Sequence, residues 1–141
     1  MLELLVAGTL FMAFSIELGS LWTSVSKHNS YLMDRARLMQ EARIARALLL
    51  SDLAGANSTT VGVSNTLTLG YPGLGAPVIQ YSSVGGSLLR TDTSGSWAMP
   101  VARYLDSANY TLQGDGSLRA SLSFRKNAAQ VTLNVSLDLP G

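Results

Sequence analysis

Hydrophobic and polar positions divide the chain into three zones. The first, 1–26, is almost wholly apolar. Leu4-Leu5-Val6 and Leu10-Phe11-Met12-Ala13-Phe14 lead on towards Val25, small residues (Ala7, Gly8, Ala13, Ser15, Gly19, Ser20) are interleaved, and Glu3 and Glu17 carry the only charges. A run of roughly 20 such residues is what a bilayer-spanning helix needs. The second zone, 27–56, is mixed. Leu38, Ala42, Ala45, Leu49 and Leu53 recur at spacings of four, three, four and four, which makes one stripe on a helix and a surface for packing a head domain. No proline precedes Pro72, so a single helix is predicted from the apolar run to Ala54, about 80 Å long at ~1.5 Å per residue. Gly55 reads as the residue just past the helix end, and Asn57-Ser58-Thr59-Thr60 as a loop.

The third zone, 57–141, alternates with the period of a β-strand. Asn65-Thr66-Leu67-Thr68-Leu69 is one short run. The runs 78–84 and 87–91 flank Gly85-Gly86, a two-residue hairpin signal. The runs 110–113 and 117–125 flank Gly114-Asp115-Gly116, and Leu118, Ala120, Leu122 and Phe124 share one face of the second. Val131, Leu133, Val135, Leu137 and Leu139 then alternate with polar residues. The last three strands are expected to form an antiparallel meander with one wet face, covered on the other by the helical stripe. Pro72, Pro77 and Pro100 are read as loop punctuation. The expected fold class is α+β: a long N-terminal α-helix packed on a small antiparallel β-sheet head.

Composition changes this picture little. The 141 residues suffice for an anchor and one modest domain. Formal net charge is +1, and bases and acids are balanced on both sides of Gly55, so nothing points to nucleic acid. Charged residues make up 13% of the chain, about half the usual share, as an apolar anchor and a Ser/Thr/Gly-rich head require. Cysteine is absent, which excludes disulfides and thiol chemistry.

Few residues suggest reaction chemistry. His28 is the single histidine and lacks partners for a metal or catalytic site. No Gly-x-Ser-x-Gly elbow occurs. Asp115 in its Gly-Asp-Gly turn has no cluster of acids around it to make a calcium loop. No catalytic residue, metal site, cofactor or small-molecule substrate is expected, and the chain is not read as an enzyme. The informative residues are Glu3 and Glu17. A carboxylate in a membrane span is costly, about 2.5–3.5 kcal/mol at the centre on insertion scales. Glu17 lies ~21 Å beyond Glu3 along a helix. It reads either as a contact to a specific neighbour or as a residue brought to the headgroups by a shift of the span. Gly8 and Gly19 permit close approach of another helix.

Leu2-Glu3-Leu4-Leu5-Val6-Ala7 resembles the second part of the Phe-Thr-Leu-Ile-Glu-Leu-Leu-Val-Ala opening of mature type IV pilins and of the pseudopilins of type II secretion. The helix-then-β layout is similar to theirs over the whole chain. Residues 39–45, 78–90 and 100–105 are similar to the minor members in particular. The resemblance implies a structural subunit that joins, initiates or caps a helical filament through its N-terminal half-helix. Its partners would be other pilin-like subunits and the bacterial inner membrane, with the head in the periplasm or outside the cell. A prepilin peptidase would be the processing enzyme. Glu3 would compensate the N-terminal ammonium of an adjoining subunit. In the family four residues precede that glutamate in the mature chain and two do so here, so the native mature start is expected upstream, after a basic leader ending in Gly. The alternative is a signal-anchored extracytoplasmic β-domain that binds a ligand or partner and does not polymerise.

Overall fold

One helix occupies more than a third of the chain. In the computed structural model, which describes residues 2–73, 75–94 and 97–138, α1 runs unbroken over Leu2–Gly55, 54 residues. With no proline, and with only Gly8 and Gly19 as interior helix weakeners, nothing interrupts its i→i−4 bonding. Eight strands follow: β1 (Ser58–Val61), β2 (Leu67–Gly70), β3 (Val78–Val84), β4 (Ser87–Asp92), β5 (Ala98–Arg103), β6 (Leu105–Leu112), β7 (Ser117–Lys126) and β8 (Ala129–Asp138). They form two antiparallel sheets, each in chain order: β1-β2-β3-β4-β5 and β6-β7-β8. The α+β class expected from the sequence therefore holds.

The second half of α1 is the centre of the core. Leu38, Ala42, Ala45, Leu49 and Leu53 are all buried, together with Leu67, Leu69, Ile79, Tyr81 and Leu88 of the five-stranded sheet and Leu118, Ala120, Leu122 and Phe124 of the three-stranded one. α1 packs on β5, β7 and β8, so a single helix face closes both sheets. Each leucine buried there contributes about 1.5–3 kcal/mol of apolar transfer.

Turn chemistry fixes the registers. Gly85 and Gly86 both take positive φ (56° and 74°), as a two-residue hairpin with the native twist demands, and Val84 pairs with Ser87 across them. In the next hairpin Asp115 Oδ1 accepts from the Ser117 backbone N–H at 2.9 Å and from its hydroxyl at 2.8 Å. Asn127, at φ 52°, turns β7 into β8, with Lys126 opposite Ala129.

Four local expectations need correction. Gly55 is the last helical residue and has no positive φ; a Cβ there would lie 3.1 Å from the Tyr71 ring, so glycine is present for space and not for a left-handed cap. The predicted loop 57–60 is mostly β1, because Asn57 N–H already bonds the Gly70 carbonyl at 2.9 Å and starts the ladder. Pro100 lies inside β5, which is an edge strand and so tolerates a residue without a donor; the register slips beside it. The strand expected at 110–113 begins earlier, at Leu105, and carries a bulge between Leu105 and Ser107. Leu139, the last apolar position of the expected alternation, lies outside the described residues.

Candidate functional site

Two surfaces of α1 carry the chemistry, one bare and one bonded. The bare surface is the apolar half. Leu4, Leu5, Leu10, Phe11, Met12, Phe14, Ile16, Leu18, Leu21 and Trp22 are all exposed, and the helix is long and apolar enough to cross a membrane. Three of its hydroxyls are satisfied within the helix: Thr9 donates to the Val6 carbonyl at 2.9 Å, Ser15 to Phe11 at 2.8 Å and Thr23 to Gly19 at 2.8 Å. That is the arrangement an apolar solvent requires. Glu3 and Glu17 are exposed and lie about 40° apart around the axis at ~100° per residue. Gly8 and Gly19 lie about 20° apart on the opposite side, and nothing stands within 4 Å of a Cβ built on either. The span thus has an acidic side and a small-residue side, and no described residue of the head meets either.

The bonded surface lies beyond residue 33. Asp34, Glu41 and Asp52 are half-buried and separated by seven and eleven residues, two and three helical turns, so all three face the head. Asp34 Oδ1 pairs with Lys126 Nζ at 2.8 Å and its Oδ2 accepts from Asn127 Nδ2 at 2.7 Å. These two hydrogen bonds, with the lysine's charge, hold its carboxyl below the usual carboxylate range. Glu41 Oε2 accepts from the Arg103 backbone N–H at 2.8 Å. Asp52 accepts from Arg90 through both oxygens, Nη2 to Oδ1 at 2.9 Å and Nε to Oδ2. It also accepts from Tyr81 Oη at 2.6 Å, and its backbone carbonyl takes the Tyr71 hydroxyl at 3.0 Å. The Trp97 ring covers the guanidinium, 4.8 Å from its carbon. Burial first, and then the hydrogen bond to Asp52, push the Tyr81 hydroxyl far above its ordinary range. The same carboxylate holds Arg90 yet more firmly charged.

These acids escaped the sequence reading, which saw only mixed charge in 27–54. A signal was present: their seven- and eleven-residue spacing keeps them beside the stripe of Leu38, Ala42, Ala45, Leu49 and Leu53, where an acid needs a partner. Tyr104 had no such signal. It is the single residue between β5 and β6, at φ 61°, unusual for a bulky side chain. Its carbonyl accepts from Arg125 N–H at 2.8 Å, and Lys126 Nζ sits 5.1 Å from its ring centre. Sheet one turns into sheet two at this corner, above Asp34 and Glu41.

Gly86, Arg103, Tyr104, Asp106, Arg125 and Asn127 border an open depression of about 530 Å³ at that corner, where Arg125 and Asp106 form an exposed pair at 3.5 Å. Among the described residues no three of His, Cys, Asp and Glu converge as a metal site would require. His28 is exposed on the helix. No protein-family model, curated protein or solved structure matches the chain.

Proposed function

We propose that the chain is a membrane-anchored structural subunit of the type IV pilin-like class, in the role of a minor pilin or minor pseudopilin. One observation carries the reading. A single unbroken helix is apolar, bare and acid-bearing in its first half, and in its second half forms the core of a β-rich head. A helix serving only as an anchor has no need to continue rigidly into the core of the domain it holds. A helix that hands the head from membrane to filament does, because the head's position then follows the helix.

In this reading the half-helix waits in the bacterial inner membrane with the head in the periplasm, and then enters a bundle of like helices in a pilus-like or secretion filament, which it initiates or caps. Glu3 supplies the carboxylate that an incoming N-terminal ammonium needs in an apolar bundle. Gly8 and Gly19 form the side on which another helix approaches closely. A prepilin peptidase performs the processing, and the head offers contact surfaces to partner subunits.

Replacement of Glu3 tests the reading. Glu3→Ala and Glu3→Lys are expected to abolish incorporation into filament or membrane complex while the head retains its melting temperature, since Glu3 is exposed and touches none of the described residues of the head. Normal incorporation of both variants would leave the signal-anchored, non-polymerising β-domain as the better account.

A further inference from the structure

At the foot of the head, α1 and the turn from β7 to β8 enclose a recess of about 350 Å³. Lys27, Ser30 and Tyr31 border it from the helix, and Ala128 and Ala129 from the hairpin. The hairpin is fixed above it, because Lys126 and Asn127 both bond Asp34. The Asp34 carboxylate also borders the recess, but its charge is answered within the protein. Lys27 lies seven residues before Asp34, two turns, and so on the same side of the helix, ~10 Å nearer the apolar run. It is exposed and pairs with no acid among the described residues. The hydroxyls of Ser30 and Tyr31 bond none of the described residues either.

The depth of the recess identifies what meets it. From Leu4 to Val25 the helix covers roughly 33 Å at ~1.5 Å per residue, close to the ~30 Å of bilayer hydrocarbon. Residues 26–31 then enter the headgroup layer. Trp22 and Tyr31, both exposed, bracket that boundary as interfacial aromatics do. Resting on the membrane anchor of the reading above, and not on filament assembly, we infer that the recess seats the headgroup of one phospholipid. Lys27 Nζ meets its phosphate, the Ser30 and Tyr31 hydroxyls donate to its oxygens, and the glycerol lies against Ala128 and Ala129. The occupant follows from charge and place: an unpaired cation, two unmet hydroxyls and an apolar wall, at the level where phosphates lie. A net-anionic lipid is favoured over a zwitterionic one, because a choline group brings a second cation to a site that already holds Lys27. The lipid bridges helix and hairpin at the membrane surface, and so holds the head in one orientation to the bilayer.

Native mass spectrometry reads the site. The full chain is reconstituted into nanodiscs of phosphatidylcholine and phosphatidylglycerol in equal parts, then released into detergent. One retained lipid per chain is expected, with phosphatidylglycerol favoured by about fivefold, the effect of one basic residue beside an anionic surface. Lys27→Gln is expected to remove that preference. Lys27→Gln with His28→Lys keeps the charge at the same depth but moves it ~100° round the helix, and is expected not to restore it. Ala128→Trp fills the recess from an exposed position and is expected to lower retention of both lipids with Lys27 in place and the melting temperature of the head unchanged. Undiminished preference in Lys27→Gln, or its return in the double variant, overturns the inference, since surface charge alone would then suffice. Retention indifferent to Ala128→Trp overturns it too, as does displacement of the lipid by inorganic phosphate, which would make the recess a site for free anions. A chain that enters nanodiscs yet retains no lipid overturns the inference and leaves the anchor standing, whereas one that stays outside them overturns both.

Discussion

Asp52, one turn before the end of the helix, and Arg90, in the middle of β4, are joined through both carboxylate oxygens, and both side chains are largely withdrawn from solvent. Tyr81 takes a further share of Oδ2. This contact ties the helix end to the five-stranded sheet at the point where the chain leaves the helix for β1. Asp52→Asn would leave a guanidinium beside a neutral amide and remove the strongest acceptor of the Tyr81 hydroxyl. The head is expected to lose about 2–4 kcal/mol, since breaking one partner of a mostly buried pair strands the other. Tyr71→Phe, which deletes one hydrogen bond to the Asp52 carbonyl, is expected to cost about 1 kcal/mol. Thermal unfolding of the full chain in detergent orders the two, and an unchanged midpoint for Asp52→Asn would show that the pair holds nothing.

Particular elements explain how far the sequence could be read. The helix was legible because a long proline-free stretch with period-four apolar residues admits one regular structure. The hairpin at Gly85-Gly86 was legible because that dipeptide takes positive φ at both positions without strain. β1 was not: Ser58-Thr59-Thr60-Val61 is polar and short, and its pairing comes from β2, six residues away in the fold's own register. Pro100 read as a loop because an edge strand is a property of the sheet and not of the residue. Glu3 and Glu17 were visible as misplaced charges in an apolar run. Asp34, Glu41 and Asp52 were not singled out, because their partners Asn127, Arg103 and Arg90 lie between 38 and 93 residues away along the chain, a separation no local pattern encodes.

Tyr110 offers the opposite test. Its ring is buried in β6 and its hydroxyl, among the described residues, has no hydrogen-bond partner. Burial alone pushes that hydroxyl above its ordinary range. An unmet buried hydroxyl costs about 1–3 kcal/mol. Tyr110→Phe is therefore expected to leave stability unchanged or raise it by about 1 kcal/mol, read as a higher midpoint in urea. A clear loss of stability would mean that the hydroxyl is bonded to an internal water.

Stability should fall at both ends of the pH scale, for different groups. Lys126 and Asn127 hold the Asp34 carboxyl below the usual range, and the Ser117 backbone N–H does the same for Asp115. Both contributions are present above about pH 4, the ordinary carboxylate value, and are lost as pH falls through the lowered folded values. Tyr71, Tyr81 and Tyr110 are shifted upward, in each case chiefly by burial. Their contributions are complete below about pH 10 and disappear as pH rises beyond it. Urea midpoints of the detergent-solubilised chain should form a plateau between these limits. Asp34→Asn should lower the plateau and shallow the acid limb while leaving the alkaline limb in place. An acid limb of unaltered slope in that variant would take Asp34 out of the account.

The placement of the head can be decided with a single thiol. Lys27, Arg35, Arg37, Arg43 and Arg46 follow the apolar run on the head side. Taken alone, the tendency of bases to stay in the cytoplasm would hold the head there. An exported head, as the proposed assembly role requires, must overcome that bias. Val63, in the turn between β1 and β2, is fully exposed, and the chain has no other cysteine to confuse the label. Val63→Cys in the full gene product should react with a membrane-impermeant maleimide in cells whose outer membrane alone has been opened. Labelling that requires rupture of the inner membrane in the unaltered product would put the head in the cytoplasm and exclude a role in an exported filament.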